Sequence, residues 1–243
     1  MSPLRPHPNL HVINLFGGPG AGKSTAALGL AYELKKRWAS VELITEYAKE
    51  LVWTDSAHLL SNQNYVFSQQ EHRLNRLVNK VEIAITDSPL LLSAFYAPPE
   101  YPVSFKQSVF DFFQSYQNIN IFVERSHKYA EEGRLQNQEE ADALSESMKR
   151  FLADNGIPYY SVTANDANPI YLCYWLAKSG LVTFPDTVRP FGQDDVPPPG
   201  WIQPSLNQAL DDQGLPVAIA AAVGRRYVPD GVRTKADTPA ERS

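Results

Sequence analysis

The chain is poor in cysteine: its 243 residues include one, Cys173. A single thiol closes no internal disulfide, so a disulfide-stapled scaffold is excluded, as is a cysteine-based zinc site. Long hydrophobic runs are also missing. No window approaches the roughly 18 consecutive apolar residues of a membrane-spanning helix. Positive charge is in deficit, with 22 Lys and Arg against 27 Asp and Glu, a net charge of −5. A general basic coat for nucleic acid is therefore excluded, though a local basic groove is not. Residues 1–10 hold three prolines and no apolar core, unlike a signal peptide. The expected compartment is a reducing cytoplasm, with no membrane contact.

What is present is 43% hydrophobic and 20% charged, which suits one globular domain with an appendage. Strand-like runs at residues 11–16, 41–45, 81–85, 119–123 and 159–162 alternate with helical patterns at 26–37, 46–53, 59–79, 105–116, 138–155 and 169–178. Such alternation predicts an α/β fold of three layers, with about five parallel strands and helices on both faces. Composition shifts near Leu181. Six prolines fall between Pro185 and Pro204, a density that sustains neither a helix nor a central strand. The expected division is a domain at 1–180 and a Pro-rich, partly disordered extension at 181–243, with one marginal helix over 206–223. The extension is either a loose tail or an arm that contacts a partner.

Gly17-Gly-Pro-Gly-Ala-Gly-Lys-Ser-Thr25 follows the first strand and opens the first helix. It fits the phosphate-cradling pattern G-x-x-x-x-G-K-[ST] in its expected context. Gly17, Gly18, Gly20 and Gly22 keep side chains away, so backbone N–H groups can turn inward, with Pro19 and Ala21 between them. The helix N-terminus then faces the anion. Lys23 reaches the β- and γ-phosphates, and the Ser24 hydroxyl can hold magnesium. Thr25 either faces a phosphate or is an ordinary first-turn residue.

In a parallel sheet, ligands gather beyond the carboxyl ends of the strands. Glu46 follows the second strand and Asp87 the third. Asp87 suits the metal shell, or it polarises an acceptor hydroxyl; its alternative is a helix cap before Pro89. Glu46 is the candidate general base. Glu33, Glu42 and Glu50 are expected on the solvated surface. After the fourth strand, Arg125, Lys128 and Arg134 lie on a segment with Gly133 as hinge, either a charged loop or a lid that closes over phosphate. The amide-rich helix after His58 places Gln63, Phe67 and Gln70 near one face, with Arg73 close by. That face suits a nucleobase, or is simply exposed.

The quoted glycine-rich loop, Val41-Glu-Leu-Ile-Thr-Glu-Tyr-Ala-Lys-Glu-Leu51, Leu60-Ser-Asn-Gln63, Thr86-Asp-Ser-Pro-Leu-Leu-Leu92 and Gly133-Arg-x-Gln136 with Glu139-Glu-Ala141 resemble a family of small P-loop kinases. The family is encoded widely by tailed bacteriophages and is related to thymidylate and nicotinamide riboside kinases. The resemblance spans roughly residues 10–177. It implies ATP and Mg²⁺ bound at Gly17–Thr25, acidic active-site residues Glu46 and Asp87, and lid cations Arg125 and Arg134. One branch phosphorylates 5-hydroxymethyl-2′-deoxyuridine in DNA, a step toward hypermodified thymidine that shields the phage genome from restriction. The Asp-Arg-Tyr motif of thymidylate kinases is absent, and Asp87-Ser-Pro89 stands in its place.

The resulting expectation is an ATP-dependent kinase acting on a pyrimidine nucleotide or on DNA, with no metal beyond Mg²⁺ and a homodimer allowed. The alternatives are a kinase of free nucleosides or nucleoside monophosphates, an ATPase switch with a protein partner, and a non-catalytic nucleotide-binding module.

Overall fold

A computed structural model describes residues 7–126, 137–165, 167–182 and 190–207. One six-stranded sheet organises them, in the order β2-β3-β1-β4-β5-β6. The strands are β1 (His7–Phe16), β2 (Val41–Ile44), β3 (Ile83–Thr86), β4 (Tyr116–Glu124), β5 (Tyr159–Thr163) and β6 (Ser205–Asn207). The first five run parallel, and β6 adds antiparallel at the β5 edge. The helices are α1 (Lys23–Lys36), α2 (Tyr47–Trp53), α3 (Gln63–Asn75), α4 (Leu91–Tyr96), α5 (Val103–Gln114), α6 (Gln138–Asp154) and α7 (Pro169–Ser179). Among the described residues, none is long and apolar enough to cross a membrane.

The period of two along β1 explains the three layers. Ile13 and Leu15 face a core built with Leu30, Leu34, Leu172 and Leu176 of α1 and α7. Leu10, Val12 and Phe16 face a second core with Phe110, Phe113, Met148 and Leu152 of α5 and α6. Asn14 interrupts that second face. It is buried, and its amide bonds to Asn118 Oδ1 at 2.9 Å and Asn120 Oδ1 at 3.0 Å. Side-chain partners on β4 thus offset the cost of placing an amide among hydrocarbons.

Three boundaries differ from the sequence reading. The helix expected over 59–79 is a 3₁₀ turn at Ala57–Ser61 followed by α3. Asn62 causes the break, because its side chain accepts from Tyr65 N and caps α3. Tyr116 starts β4 rather than ending the preceding helix. Leu206 lies in β6, not at a helix start; Tyr159–Ser161 pairs with Ser205–Asn207, and Asn207 Nδ2 donates to Tyr159 Oη at 2.7 Å. The rest of the expected 206–223 helix lies outside the described residues.

The Pro-rich segment also packs where it is described. Arg37, at the end of α1, is 3% exposed and ion-paired with Glu33 at 2.5 Å and Asp195 at 2.7 Å. Its guanidinium lies over the Phe191 ring. Glu33 is therefore buried in a pair and not on the solvated surface.

Candidate functional site

The glycine-rich loop leaves β1 beside the end of β4. Gly17 has φ +143°, and a Cβ there would stand 2.6 Å from the Val123 carbonyl oxygen. Neighbouring backbone, as well as any ligand, therefore demands glycine at this position. Gly22 has φ +89° and begins α1 without a side-chain cap. Asparagines cap α3, α6 and α7. The first turn of α1 also holds no acidic residue. The N–H groups and positive dipole end of its first turn suit an anion. Lys23 Nζ donates to the carbonyls of Gly17 at 2.8 Å and Gly18 at 3.0 Å, which holds the ammonium against the loop.

Strand order brings the carboxylates to that loop. Since β3 lies between β1 and β2, the residues that follow β2 and β3 stand on one side of α1. Ser24 Oγ donates to Asp87 Oδ2 at 2.5 Å. Asp87 does not cap α4, whose first residue follows Leu90. Ser24, Glu46 and Asp87 line one cavity of about 190 Å³ with Ala27, Leu28, Leu43, Thr45, Lys49, Glu50 and Trp53. Burial, then the charge of Asp87, raises the Glu46 pKa above its ordinary value, against smaller opposing effects of Lys23 and Lys49.

The amide helix has a different part. Gln70 is buried; its Oε1 accepts from Tyr47 N at 3.1 Å and its Nε2 donates to Thr86 Oγ1 at 3.3 Å. It ties the start of α2 to the end of β3, the two places that carry Glu46 and Asp87. Gln63 is buried, with Nε2 donating to Leu60 O. Phe67 packs edge-on against Phe105 and Phe112. Arg73 forms two 2.6 Å bonds to Glu50 and lies over Tyr47. None of these four lines the cavity, so α3 supports its wall from behind. Glu50, read as solvated surface, is exposed, and it also borders the cavity. The sequence reading missed Trp53 and Leu28; the available signal was their spacing on helices that flank the loop.

Across the loop lies a second cavity of about 170 Å³, lined by Gly18, Pro19, Ala21, Glu124, Arg125, Ala141, Asp142, Ser145 and Glu146. Arg125 is ion-paired there with Asp142 of α6. Arg134, Lys128 and Gly133, and hence most of the expected lid, lie outside the described residues.

The donor set fits a nucleotide with a hard cation. Uncapped helix N–H groups and an ammonium suit phosphates, while a hydroxyl beside a carboxylate suits Mg²⁺, which prefers oxygen ligands and few protein side chains. A family model described as an AAA domain matches residues 12–168. A search of curated proteins found no match. The matched span runs from within β1 through β5, and with the sheet order it establishes the P-loop nucleoside triphosphatase fold.

Proposed function

Because the chain belongs to the AAA-domain family, we propose that it is an ATP-dependent kinase that phosphorylates a hydroxyl on a pyrimidine nucleotide. The observation that carries this reading is Glu46 in the same cavity as Ser24 and Asp87, with Lys23 near enough to act on its charge. A hydrolase needs only a water beside the phosphate. A walled cavity with a carboxylate of raised pKa suits an organic acceptor.

The acceptor oxygen attacks the γ-phosphorus as the bond to the β-phosphate oxygen breaks. The acceptor proton passes to Glu46, ADP leaves, and a phosphomonoester forms. Lys23 and backbone N–H groups of the glycine-rich loop and first turn of α1 offset the charge on the phosphates. Ser24 and Asp87 would hold Mg²⁺, which when bound neutralises phosphate charge. Arg125, on the opposite side of the loop, adds to the cationic surroundings; a lid role for Arg134, which lies outside the described residues, rests on the family resemblance. The favoured acceptor is 5-hydroxymethyl-2′-deoxyuridine in phage DNA, supported by the resemblance of residues 10–177; phosphorylation there would serve thymidine hypermodification and restriction evasion. The chain would act in the host cytoplasm.

The test is transfer of label from γ-labelled ATP to 5-hydroxymethyluracil DNA, thymine DNA, and the free nucleoside and nucleotide. Label on an organic acceptor, with about a 10²–10³-fold loss in Lys23→Ala, supports the reading. ATP hydrolysis with no labelled acceptor would place the chain among the hydrolases and overturn it.

A further inference from the structure

The cavity that holds Glu46 has an apolar end that the proposed chemistry does not use. Trp53, the last residue of α2, is 77% exposed, and Leu28 of α1 is 59% exposed. Both line the cavity, with Ala27 and Leu43 as its floor. A large indole left in water on a short helix gains little from the fold. Glu46 and Trp53 are seven residues apart, about two helical turns or 10 Å along α2, so both reach the same space from opposite ends.

Charge narrows the occupant. The lining carries three carboxylates, on Glu46, Glu50 and Asp87, against the ammonium of Lys49. Arg73 holds the Glu50 carboxyl below its ordinary range, so Glu50 is charged. Glu50 is paired with Arg73 and Asp87 would be matched by Mg²⁺, so the carboxylate left facing an acceptor is Glu46: an anionic group against it meets repulsion, and a neutral or cationic ring does not. The volume, about 190 Å³, is below the roughly 300–1,000 Å³ of clefts that engulf drug-sized ligands. It takes a ring, not a whole nucleotide.

We infer that the face of Trp53, with Leu28 opposite, is a stacking platform for the uncharged heteroaromatic ring of the acceptor, and that the acidic wall keeps acceptor phosphates outside the cavity. This rests on the kinase reading for the identity of the ligand as acceptor. Trp53 thereby becomes the residue that sets acceptor class: nucleosides and bases displayed on a polymer enter, and nucleoside monophosphates enter poorly.

The experiment is ligand binding to the full chain in the presence of a non-hydrolysable ATP analogue, followed by tryptophan emission and by calorimetry. The probes are 5-hydroxymethyl-2′-deoxyuridine, its 5′-monophosphate, and a short oligonucleotide that contains the base. The expected result is saturable quenching in the wild type that is absent in Trp53→Phe. Trp53→Ala should weaken nucleoside binding about ten-fold or more, with Trp53→Phe within a few-fold and Trp38→Ala, exposed and not part of the cavity lining, like wild type. The monophosphate should bind more weakly than the nucleoside. Unchanged affinity in Trp53→Ala, tighter monophosphate binding, or no binding of any probe would overturn the inference. Transfer of label that persists in Trp53→Ala with unaltered KM would overturn the platform and leave the kinase reading intact. Quenching through Trp53 without phosphate transfer would uphold the platform and sink the kinase reading.

Discussion

Ser24 Oγ and Asp87 Oδ2 meet at 2.5 Å, although 63 positions separate them. The contact joins the first turn of α1 to the end of β3, and it sets two oxygens where a cation beside phosphate would sit. Ser24→Ala and Asp87→Asn should each raise the Mg²⁺ concentration for half-maximal transfer about 10–100-fold. The double variant should lose less than the product of the two, since both act at one site. A metal titration checks this, and strict additivity would separate the two residues.

The raised pKa of Glu46 predicts a pH profile. The base works deprotonated, so the acid limb of the transfer rate should lie above the ordinary carboxyl value of 4.5. In Asp87→Asn the limb should move down, because the like charge is gone. The stability sign is opposite. A carboxyl with a raised folded pKa holds its proton more tightly in the fold, so it favours folding at low pH and loses that contribution as pH rises through the folded pKa. Glu46→Gln should therefore melt higher than wild type at pH 8, with the gap closing near pH 4, while transfer is lost. Melting curves at both pH values test it.

Arg37 fastens the Pro-rich segment. Arg37→Ala would leave Glu33 with only Lys36 at 4.0 Å, take the guanidinium from Asp195 and remove the cation over Phe191. A fully buried pair costs about 3–5 kcal/mol to break; Asp195 keeps 21% side-chain exposure, so a loss near the lower figure is expected in urea unfolding. Proteolysis within 190–207 should speed up in the same variant. Equal cleavage rates would show that β6, not Arg37, holds the segment.

At Gly29, α1 packs tightly against the start of α7. A Cβ there would stand 2.2 Å from Pro169 Cγ. Alanine in a helix interior normally gains about 1 kcal/mol over glycine. Overpacking costs about 1–3 kcal/mol, and the proline ring, fixed at the start of α7, cannot swing away. Gly29→Ala should therefore lower the melting temperature, and a rise would show that α7 shifts freely.

Much of the fold was legible locally. The apolar run along 11–16 and the glycines that follow specify a strand, a turn and a helix within one short stretch. Gln70 shows the other case. Its spacing beside Phe67 reads as a base-binding face, yet its amide is spent on Tyr47 and Thr86, partners 23 and 16 positions away. Amide chemistry is the same in both roles, and only the packing of α3 against α2 and β3 chooses between them. The short β6 was hidden for a similar reason, since an edge strand draws its identity from the partner it pairs with.

The sequence by itself determined the phosphate loop and the layered α/β plan, because backbone conformation and hydrophobic period act over a few neighbouring residues. Tertiary structure alone decided that Trp53 joins Ser24, Glu46 and Asp87 in one cavity, that Arg37 is buried against the extension, and that α3 is a support. Those outcomes follow from the order β2-β3-β1 and from helix packing, where the energy of burying one surface depends on another far along the chain.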